Sequence, residues 1–409
     1  MKKVMILGAG KGQVPIINLA KRCGLETFVV SIPGTYPGFQ VADNICEVDI
    51  RDKESVLDAA RKEKVDGIVA DQIDIAVPTV AYVTEKLGLP SIGYECALKF
   101  TNKYLMRKEC ERLNINAPKY SKAYSLDEAV RKCQEVGLPV VIKPTDNAGS
   151  KGVSLIRNID SLKERFDNAI SFSKERCVII EKYIEGTEYV VSGFASNFEF
   201  TNLAIAERKY FDIPDTFVFN QSLFRTSASN AIEERVLKTN EKLIEGFGLK
   251  FGVTHSEYIV EKDTEDIYLV EVAARGGGIN TSSDIIPAAT GIEVNGLLLD
   301  IVVGNKDEIV IGKIDDNVAG YLCFSLPKGI VRSIRGIEAV RSLPNVYKSF
   351  LDSLYIGMET KEMTDKSMRI GPIIIKGNSM EECEDAIAEI KRLIEVDVET
   401  PEGIKGIVW

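Results

Sequence analysis

The chain has 409 residues, of which 45% are hydrophobic and 27% charged, and its formal net charge at pH 7 is −10. This composition is typical of a folded protein with about two or three domains, and the acidic charge argues against a general nucleic-acid binder, which needs a basic face. The eight cysteines are scattered without a C-x-x-C pair, and the apolar runs are too short to cross a bilayer. We therefore expect a cytoplasmic protein with reduced thiols and no membrane or nucleic-acid partner.

Strand patterns alternate with helical patterns over the first hundred residues. The strand KVMIL is followed by the helical pattern VPIINLAKRCG, the strand ETFVVSI, the helix SVLDAARKEK and the strand VDGIVAD. Strands separated by helices predict a parallel sheet with right-handed crossovers, which is a Rossmann-like unit. The starting run MKKVMILGAGK lacks a long apolar core and a cleavage site, so we interpret it as the first strand and not as a signal peptide.

The pattern changes near Thr101. TNKYLMRKECERLN predicts a helix with Thr101 as its N-cap, and strand-like runs dominate the segment that follows. A helix is predicted near 233–248 and a hairpin over 253–274. From about residue 317, the runs YLCFSLP, RIGPIIIKG and SMEECEDAIAEIKRLIEV predict two strands and a helix of a small α+β domain.

The glycine turn GAGKGQ, residues 8–13, directly follows the first strand and raises the question of a dinucleotide site. A dinucleotide fingerprint has a third glycine and an acidic residue about twenty positions further on. Here Gln13 stands at the third glycine position, and the second strand ends at Ser31 without a carboxylate. We interpret the turn as a tight strand-to-helix connection or as the border of another ligand. An NAD oxidoreductase is the least favoured alternative.

A second glycine loop lies between two strand patterns in PVVIKPTDNAGSKGVSLI, residues 139–156. The first strand delivers Lys143 next to Pro144, and the loop residues that follow are Gly149, Ser150, Lys151 and Gly152. The arrangement is not a Walker P-loop, which runs into a helix. Glycine amides that point inward can nevertheless cradle phosphate oxygens, and a lysine at the strand end adds a fixed positive charge. A hairpin with a polar tip is the alternative.

The hairpin over 253–274 places two carboxylates opposite each other. If the turn is centred near Thr264, residues equally distant from it are paired, so Glu257 lies across from Glu271. On this register the core-facing side chains are Tyr258, Val260, Tyr268, Val270 and Val272, and the other face carries His255, Glu257, Glu271 and Ala273. Directly opposed carboxylates repel unless a cation lies between them or one pKa is raised. Two carboxylates completed by phosphates and water are a ligand set for Mg²⁺; splayed, solvated glutamates are the alternative.

The segment ARGGG, residues 274–278, follows the second glutamate at once. An arginine beside a metal site, here Arg275, can clamp a transferring phosphoryl group or an oxyanion. The glycines Gly276, Gly277 and Gly278 let backbone amides approach an anion closely. A flexible connection into NTSSDIIPAATG is the less favoured alternative.

In this order the motifs resemble the ATP-grasp superfamily, and the resemblance covers nearly the whole chain. It rests on the Rossmann-like start, on VIKP with its glycine loop, on EKYIEGTE and on the pattern formed by Glu257, Glu271 and Arg275. The resemblance implies a combined α/β and α+β fold. Its expected parts are a Rossmann-like pre-ATP-grasp domain (1–100), an ATP-grasp domain (101–306) with a small β-rich lid at about 118–187, and an α+β C-terminal domain (307–409).

The resemblance also implies ATP and Mg²⁺, with two ions bound and Mn²⁺ as a substitute. The implied phosphate contacts are Lys103, Lys143 and the loop residues Gly149, Ser150, Lys151 and Gly152. The implied adenosine contacts are Glu181, Lys182, Tyr183 and Ile184 at the adenine and Glu188 at the ribose. Glu257 and Glu271 are implied as metal ligands, and the implied catalytic residues are Arg275, Lys143 and Glu271.

The second metal strand departs from the family's common E-x-N-x-R pattern, because Ala273 stands in place of the asparagine. The change removes one oxygen ligand of the second Mg²⁺, which Glu271 would replace by bridging both ions. The carboxylate–amine ligase and L-amino acid ligase branches look similar here. The C-terminal runs PKGIVRSIRGIEAV and RIGPIIIKGNSMEECEDAI also resemble the last domain of L-amino acid ligases.

The function that the resemblance implies is an ATP- and Mg²⁺-dependent carboxylate–amine ligase that works through an acyl phosphate and releases ADP and phosphate. Its partners would be a small carboxylate and a small amine, of amino-acid or peptide type, and relatives suggest a homodimer. Candidate substrate contacts are His255, Arg225, Arg275, Gly276, Gly277 and Gly278, with Arg208 and Lys209 as further basic residues. The alternatives are a bicarbonate-activating enzyme, similar to carbamoyl-phosphate synthase or biotin carboxylase, and a nucleotide-binding protein with weak catalysis.

Overall fold

The computed structural model describes residues 1–147, 149, 151–213, 218–363 and 366–409, and of Ser367 the backbone only. Within these ranges the chain divides into two compact units. Unit 1 comprises Met1–Leu203, Ser229–Ser283 and Ile292–Lys313, and unit 2 comprises Ala204–Ala228, Asp284–Gly291 and Ile314–Trp409. The chain therefore passes between the units several times.

The elements are numbered along the chain. The strands are β1 (Lys3–Leu7), β2 (Glu26–Ser31), β3 (Asn44–Glu47), β4 (Gly67–Val69), β5 (Tyr120–Ala123), β6 (Val140–Pro144), β7 (Ser154–Ile156), β8 (Val178–Lys182), β9 (Gly186–Ser196), β10 (Glu199–Tyr210), β11 (Phe219–Phe224), β12 (Phe251–Glu261), β13 (Ile267–Ala273), β14 (Val318–Phe324), β15 (Gly329–Arg335), β16 (Val346–Ser349), β17 (Glu359–Thr360), β18 (Ile370–Gly377), β19 (Glu395–Thr400) and β20 (Gly403–Lys405). The helices are α1 (Val14–Arg22), α2 (Pro37–Val41), α3 (Lys53–Glu63), α4 (Val77–Leu87), α5 (Tyr94–Thr101), α6 (Lys103–Leu113), α7 (Leu126–Val136), α8 (Leu162–Ser171), α9 (Ala231–Phe247), α10 (Ile286–Thr290), α11 (Val294–Val302), α12 (Ile337–Arg341) and α13 (Met380–Leu393). Across the described ranges, a single helix long and apolar enough to span a membrane is not found.

Unit 1 begins with the predicted parallel sheet. Its strand order is β3-β2-β1-β4, and β1 pairs with β2 from Lys3↔Glu26 to Leu7↔Val30. The residues of β1 from Val4 to Leu7 are fully buried. A continuous apolar run is what a parallel strand covered on both faces requires, so the Rossmann-like prediction for this part of the chain is confirmed.

The second sheet of unit 1 falls within the predicted lid segment. Its antiparallel order is β5-β8-β6-β7, and α7 and α8 pack against it around the buried core of Val140, Ile142 and Ile180. Because side chains alternate along a strand, Lys143 and Glu181 project from the face away from that core. Lys143 and Glu181 therefore share one face of this sheet.

The remaining sheet strands of unit 1 are β13, β12 and β9, which run antiparallel in that order. β12 pairs with β9 over its whole length, from Phe251↔Ser196 to Glu261↔Gly186. β10 begins in unit 1 and ends in unit 2. The predicted helix near 233–248 is α9, which ends at Gly248 in the left-handed conformation.

The predicted hairpin register is confirmed at the carboxylates and wrong beyond them. The pairs at the open end are His255↔Ala273, Ser256↔Val272 and Glu257↔Glu271. A bulge after Glu257 then pairs Tyr258 with Leu269. Leu269 is consequently buried, whereas Tyr268 and Val270, predicted to face the core, are only half-buried. One extra residue in one strand moves every later side chain of its partner to the opposite face.

The helix that carries Lys103 begins one residue later than predicted. Thr101 is the last residue of α5, and Asn102 is the N-cap of α6. The Asn102 side-chain oxygen accepts hydrogen bonds from the backbone N–H groups of Tyr104 at 3.0 Å and Leu105 at 3.2 Å. The prediction of Thr101 as N-cap is therefore wrong, because Asn102 has the extended backbone that an N-cap needs. Lys103 becomes the first residue of the helix.

Unit 2 is mostly antiparallel. The end of β10 pairs with β11, which is followed in order by β14, β18 and β16, and a second sheet has the order β17-β15-β19-β20. Ser379 caps α13 through the N–H of Glu382. The core is formed by residues such as Leu322, Phe324 and Ile375 together with Ile390 of α13. The two strands and the helix predicted for the C-terminal part are confirmed.

Candidate active site

Residues from three separate elements of unit 1 meet around Lys103, and two of them, Lys103 and Glu271, were predicted. The Lys103 ammonium is 2.8 Å from Glu271 Oε1 and donates to the backbone oxygen of Asn147 at 2.7 Å. Lys103 lies on α6, Glu271 on β13 and Asn147 in the loop after β6. The lysine is buried, so this contact fixes the start of α6 against the strand that carries the predicted metal ligand.

Lys143 lies in a buried ion network beside this contact. Its ammonium is 2.7 Å from Glu181 Oε2, and the other carboxylate oxygen of Glu181 is 2.7 Å from Arg107 Nε. Arg107 Nη2 also donates to the backbone oxygen of Val270 at 2.7 Å. Two cations therefore share one carboxylate, and the arginine connects β8 to β13.

Burial and neighbouring charges shift the pKa values of this network in opposite directions. Burial opposes ionisation of Glu181, but Arg107 and Lys143 outweigh it and lower the carboxyl pKa from 4.5 to about 2. Burial lowers the pKa of the Lys143 ammonium, which Glu181 partly restores. For Glu271, burial raises the pKa and Lys103 outweighs it, so the carboxyl pKa is lowered even though Glu257 opposes this. Both glutamates are thus carboxylates at neutral pH.

The Glu181 network predicts a loss of stability in acid. The pKa of the Glu181 carboxyl is lowered in the folded protein, so the ionised carboxylate stabilises the fold. This stabilisation is complete above the ordinary pKa of 4.5 and is lost as the pH falls to about 2. The contribution is on the order of 3 kcal/mol. We expect the free energy of unfolding of the double variant R107M/E181Q, which keeps the net charge of the network, to depend less steeply on pH in this window. Denaturant unfolding between about pH 5 and pH 2 measures it.

The exposed carboxylate of Glu234 offers the matched control, because E234Q should leave the pH dependence of unfolding unchanged. A double variant with the wild-type slope would contradict the assignment of this acid sensitivity to Glu181.

The two predicted metal ligands lie side by side on the hairpin. Glu257 and Glu271 are directly paired, and His255 Nε2 is 3.7 Å from Glu257 Oε1. In the part of the chain that the structure describes, no group of three His, Cys, Asp or Glu side chains is assembled that could hold a metal ion. Mg²⁺ in nucleotide sites takes one or two carboxylates and completes its shell with phosphates and water. Two opposed carboxylates therefore fit Mg²⁺ that arrives with a nucleotide.

Arg275 is held by a residue that the sequence did not single out. Its Nη2 is 2.6 Å from Asp74 Oδ2, and its Nη1 donates to the backbone oxygen of Gly276 at 2.7 Å. Its Nε is buried and has no hydrogen-bond partner among the described residues. An unpaired buried donor is costly unless a ligand or water satisfies it. The guanidinium is therefore fixed in place and keeps one donor for an acceptor from outside the chain.

The glycines after Arg275 are required by close packing. A Cβ atom at Gly276 would lie 2.3 Å from Asp71 Oδ1 and 2.2 Å from Ser282 Oγ, and one at Gly277 would lie 2.6 Å from His255 Nδ1. His255 therefore lies against the glycine segment as well as beside Glu257. The two glycines bring the backbone to a place that no other residue type could occupy without displacing these side chains.

Asp71 anchors the glycine segment that follows Arg275. It is fully buried, and its carboxylate accepts hydrogen bonds from Ser282 Oγ at 3.0 and 3.1 Å and from Asn295 Nδ2 at 3.1 Å. Burial raises the pKa of the Asp71 carboxyl, and these neutral donors oppose the rise. A buried carboxylate surrounded by neutral donors is a positional anchor, since it holds three segments of unit 1 together.

The side chain of Gln13 fills the first glycine turn, residues 8–13. The buried side chain of Gln13 accepts a hydrogen bond from the Gly10 N–H at 3.0 Å and donates to the backbone oxygen of Asp71 at 2.7 Å. The Gly10 amide, which a dinucleotide pyrophosphate would need, is thus bonded within the protein. The residue that replaces the third glycine of the fingerprint is the physical reason why this turn does not suit a dinucleotide.

The second glycine loop joins β6 and β7, as predicted. The two strands pair from Val140↔Ile156 to Ile142↔Ser154, and Gly149 and Gly152 have positive φ angles of 74° and 72°. Lys151 is exposed. Ser150 lies outside the described residues, so its predicted phosphate contact stays a prediction.

The predicted adenine segment is β8 and the residues after it. The backbone N–H of Lys182 donates to Lys119 O at 2.8 Å, and that of Tyr183 donates to Pro139 O at 3.1 Å. Ile184 and Glu188 are partly exposed, and Glu188 is paired with Ile259 on β12. The Glu181 side chain, in contrast, is occupied by Arg107 and Lys143.

The basic residues considered for a substrate carboxylate lie in unit 2. The backbone of Arg225 is bridged to Ile205 by hydrogen bonds of 2.9 Å in both directions. Lys209 is exposed, with its ammonium 3.8 Å from Glu384. The predicted role of Arg225 in substrate binding stays a prediction.

A basic cluster in unit 2 surrounds one aromatic ring. The guanidinium of the buried Arg208 is 4.1 Å from the Phe219 ring centroid, Lys366 Nζ is 4.5 Å from it, and the Arg369 guanidinium is 4.6 Å from it. Cations over an aromatic face are stabilised by its quadrupole. Three cations therefore lie around one ring, and the sequence alone signalled only Arg208 among them.

Sequence reasoning missed Arg107, Asp71 and Asp74 in unit 1. Arg107 follows Lys103 by four residues in a predicted helix, a spacing that places both on one helix face, so this signal was available. Asp71 and Asp74 follow β4, and the carboxyl ends of parallel strands are where α/β folds bind ligands. Their partners are about two hundred residues away in the chain, and no local pattern indicates them.

Two family models match parts of the chain. The ATP-grasp domain matches residues 136–283, and the L-amino acid ligase C-terminal domain 2 matches residues 322–399. The first match contains Lys143, Glu181, Glu257, Glu271 and Arg275, and the second covers most of the strands and α13 of unit 2.

Curated relatives and solved structures with the same architecture are also found. The alanine–anticapsin ligase of Bacillus subtilis is 26% identical over 278 residues, which span 62% of this chain and 57% of that relative. A formate-dependent phosphoribosylglycinamide formyltransferase of Saccharolobus solfataricus is 25% identical over 409 residues, 96% of each chain. The crystal structure of an L-amino acid ligase from Bacillus licheniformis superposes with a TM-score of 0.81 at 21% identity, over 98% of this chain and 99% of that one. The last comparison shows the fold.

Proposed function

The chain carries an ATP-grasp domain and an L-amino acid ligase C-terminal domain, and we propose that it is an ATP- and Mg²⁺-dependent ligase that joins a carboxylate to an amine. The observation that carries the proposal is the network in which Lys103 is held by Glu271 and Lys143 by Glu181. Two buried ammonium groups beside a pair of carboxylates suit a triphosphate and its metal.

In this proposal Lys103 and Lys143 bind the phosphates, and the loop at 148–152 covers them. The adenosine lies along the segment after β8, with Glu188 at the ribose. Both carboxylate oxygens of Glu181 are engaged by cations, and the N–H groups of Lys182 and Tyr183 are bonded to protein carbonyls. The adenine contact is therefore assigned to the backbone at Ile184, and Glu181 acts by holding Lys143.

Glu257 and Glu271 are the proposed metal ligands. Bound Mg²⁺ would neutralise the negative charge that develops on the phosphoryl oxygens. Ala273 is buried and paired with His255, so it offers no oxygen ligand from its side chain. Two ions, which Glu257 and Glu271 would hold, therefore form part of the proposal.

The proposed chemistry begins with in-line attack of a substrate carboxylate oxygen on the γ-phosphorus of ATP. The bond to ADP breaks and an acyl phosphate forms. The amine then attacks the acyl carbon, phosphate leaves, and the amine loses a proton to solvent. Arg275, fixed by Asp74, and the amides of Gly276–Gly278 would stabilise the oxyanion of this second step.

The wider organisation is proposed from the same resemblance. The division into 1–100, 101–306 and 307–409, the lid at about 118–187 and a homodimer belong to it. A cytoplasmic location also belongs to it, for which the eight unpaired cysteines are the support.

The experiment that tests the function is ADP release from Mg·ATP against a matrix of carboxylates and amines that includes free amino acids. ADP that appears only with both partners present supports the ligase and identifies its substrates. ADP release with bicarbonate alone would replace it with a bicarbonate-activating enzyme. ATP binding without turnover across the matrix would favour the weakly catalytic nucleotide-binding protein that Ala273 permits.

A further inference from the structure

Arg107 is fully buried, and none of the roles above uses it directly. It lies one helical turn after Lys103 on α6, so both cations project from the same face of the helix. An arginine is always charged in proteins, and burying a charge is costly even when it is paired. Apolar side chains of similar volume would fill this place at lower cost, so stability alone does not explain the residue.

The two anchors of Arg107 belong to the two halves of the proposed nucleotide site. Its Nε is 2.7 Å from Glu181 on β8, and β8 is the neighbour of β6, which carries Lys143. Its Nη2 donates at 2.7 Å to Val270, the residue before Glu271. One planar guanidinium thus joins the phosphate-binding lysine to the metal strand, which a single ammonium group could not do with the same geometry.

The charges of this network depend on Arg107. With Lys143 as its only partner, Glu181 would form a neutral pair, and the ammonium would have little attraction left for a phosphate. Because Arg107 takes the other carboxylate oxygen, the group of three carries one net positive charge. Lys143 can then turn from the carboxylate to a phosphate without leaving a buried carboxylate unpaired.

Arg107 also retains an unused donor. Its Nη1 is buried and has no hydrogen-bond partner among the described residues. An unsatisfied buried donor lowers stability, which again indicates that the position is not occupied for stability alone.

We propose that Arg107 is a positioning residue for phosphate binding. It holds Glu181 so that Lys143 keeps its net attraction for the phosphates of a nucleoside triphosphate, and it fixes this lysine relative to the metal strand. The inference rests on the proposed function, because it takes Lys143 as a phosphate ligand.

The test compares the affinity for Mg·AMPPNP, a non-hydrolysable triphosphate, with the affinity for AMP, which lacks the β- and γ-phosphates. We expect R107M to weaken Mg·AMPPNP about ten- to a hundredfold, as is usual for residues that hold a ligand-binding group, and to change AMP binding little. R107K keeps the charge opposite Glu181 but cannot also reach Val270 with the same geometry, so it should recover only part of the loss. A general structural role would weaken both ligands equally, and that result would overturn the proposal.

A double-mutant cycle with Lys143 tests whether Arg107 acts on phosphate binding through this lysine. In a K143M background, R107M should add little further loss, because the lysine through which it acts is absent. The same loss in both backgrounds would show that Arg107 acts independently of Lys143 and would overturn the proposal.

If R107M does not fold, the double variant R107M/E181Q is compared with E181Q. The quantity compared is the ratio of the affinities for Mg·AMPPNP and AMP. In E181Q the carboxylate through which Arg107 acts is absent. Equal affinity ratios in E181Q and R107M/E181Q therefore support the proposal, and a further loss of Mg·AMPPNP affinity in the double variant contradicts it. Wild-type protein that binds no Mg·AMPPNP would contradict the proposed function itself. Wild-type binding with an unchanged ratio in R107M would contradict only the role of Arg107.

Discussion

E271Q is expected to lower kcat for ADP release by about 10³-fold. Glu271 is the proposed ligand of both metal ions, and metal ions supply several kcal/mol of stabilisation to a phosphoryl-transfer transition state, each 1.36 kcal/mol being tenfold in rate. The residue also holds Lys103 at 2.8 Å, so the substitution loosens a proposed phosphate ligand at the same time. Steady-state kinetics over a range of Mg²⁺ concentrations measure both effects.

The contact between Glu271 and Lys103 predicts that substitutions of the two proposed metal ligands have different effects. Because Glu271 holds Lys103, a proposed phosphate ligand, E271Q should weaken nucleotide binding as well as the metal site, whereas E257Q should mainly raise the Mg²⁺ requirement. The exposed Glu265 in the hairpin turn gives the control E265Q, which should retain wild-type kinetics. Wild-type turnover in E271Q at ordinary Mg²⁺ concentrations would remove Glu271 from the metal site.

R275M is the second large expected effect, with kcat for product formation lowered by about 10²- to 10³-fold, as for the loss of an oxyanion donor. The guanidinium is held by Asp74 at 2.6 Å and keeps a buried, unpaired Nε. Since no phosphate-binding role is proposed for Arg275, the affinity for Mg·AMPPNP should change little. The measurement is kcat for the ligated product beside nucleotide affinity by calorimetry.

The matched control for Arg275 is R235M, because Arg235 is exposed and its guanidinium is 3.7 Å from the exposed Glu265. This variant should keep wild-type rates. D74N should fall between wild type and R275M, since Arg275 keeps its bond to the Gly276 oxygen. If R275M lost nucleotide affinity as strongly as turnover, Arg275 would belong to the nucleotide site and not to the oxyanion site.

The cations of this site are held by carboxylates. Lys103 is bound to Glu271, and Lys143 and Arg107 to Glu181. In the proposed function Glu271 would hold Mg²⁺, and Lys103 and Lys143 would bind the phosphates. The pairing compensates the buried charges, and Mg²⁺ bound at Glu271 would compete with Lys103 for the same carboxylate.

The sequence by itself determined what depends on local pattern. Alternating strands and helices predicted the parallel sheet, and the symmetric spacing about Thr264 predicted the pairing of Glu257 with Glu271. Regular periodicity carries this information because it fixes which residues share a face. The order of lysine, glycine loop, paired glutamates and arginine then indicated the nucleotide-binding architecture.

The tertiary structure decided what depends on distant partners. Arg107 meets Glu181 across 74 positions of the chain, Arg275 meets Asp74 across 201, and Ser282 meets Asp71 across 211. A hydrogen bond between such residues leaves no trace in local periodicity, since it depends on how separate elements pack. The bulge after Glu257 and the burial of Gln13 in the first glycine turn are likewise set by neighbours in space. The motif residues were therefore predictable, whereas the pairings that hold them in place were not.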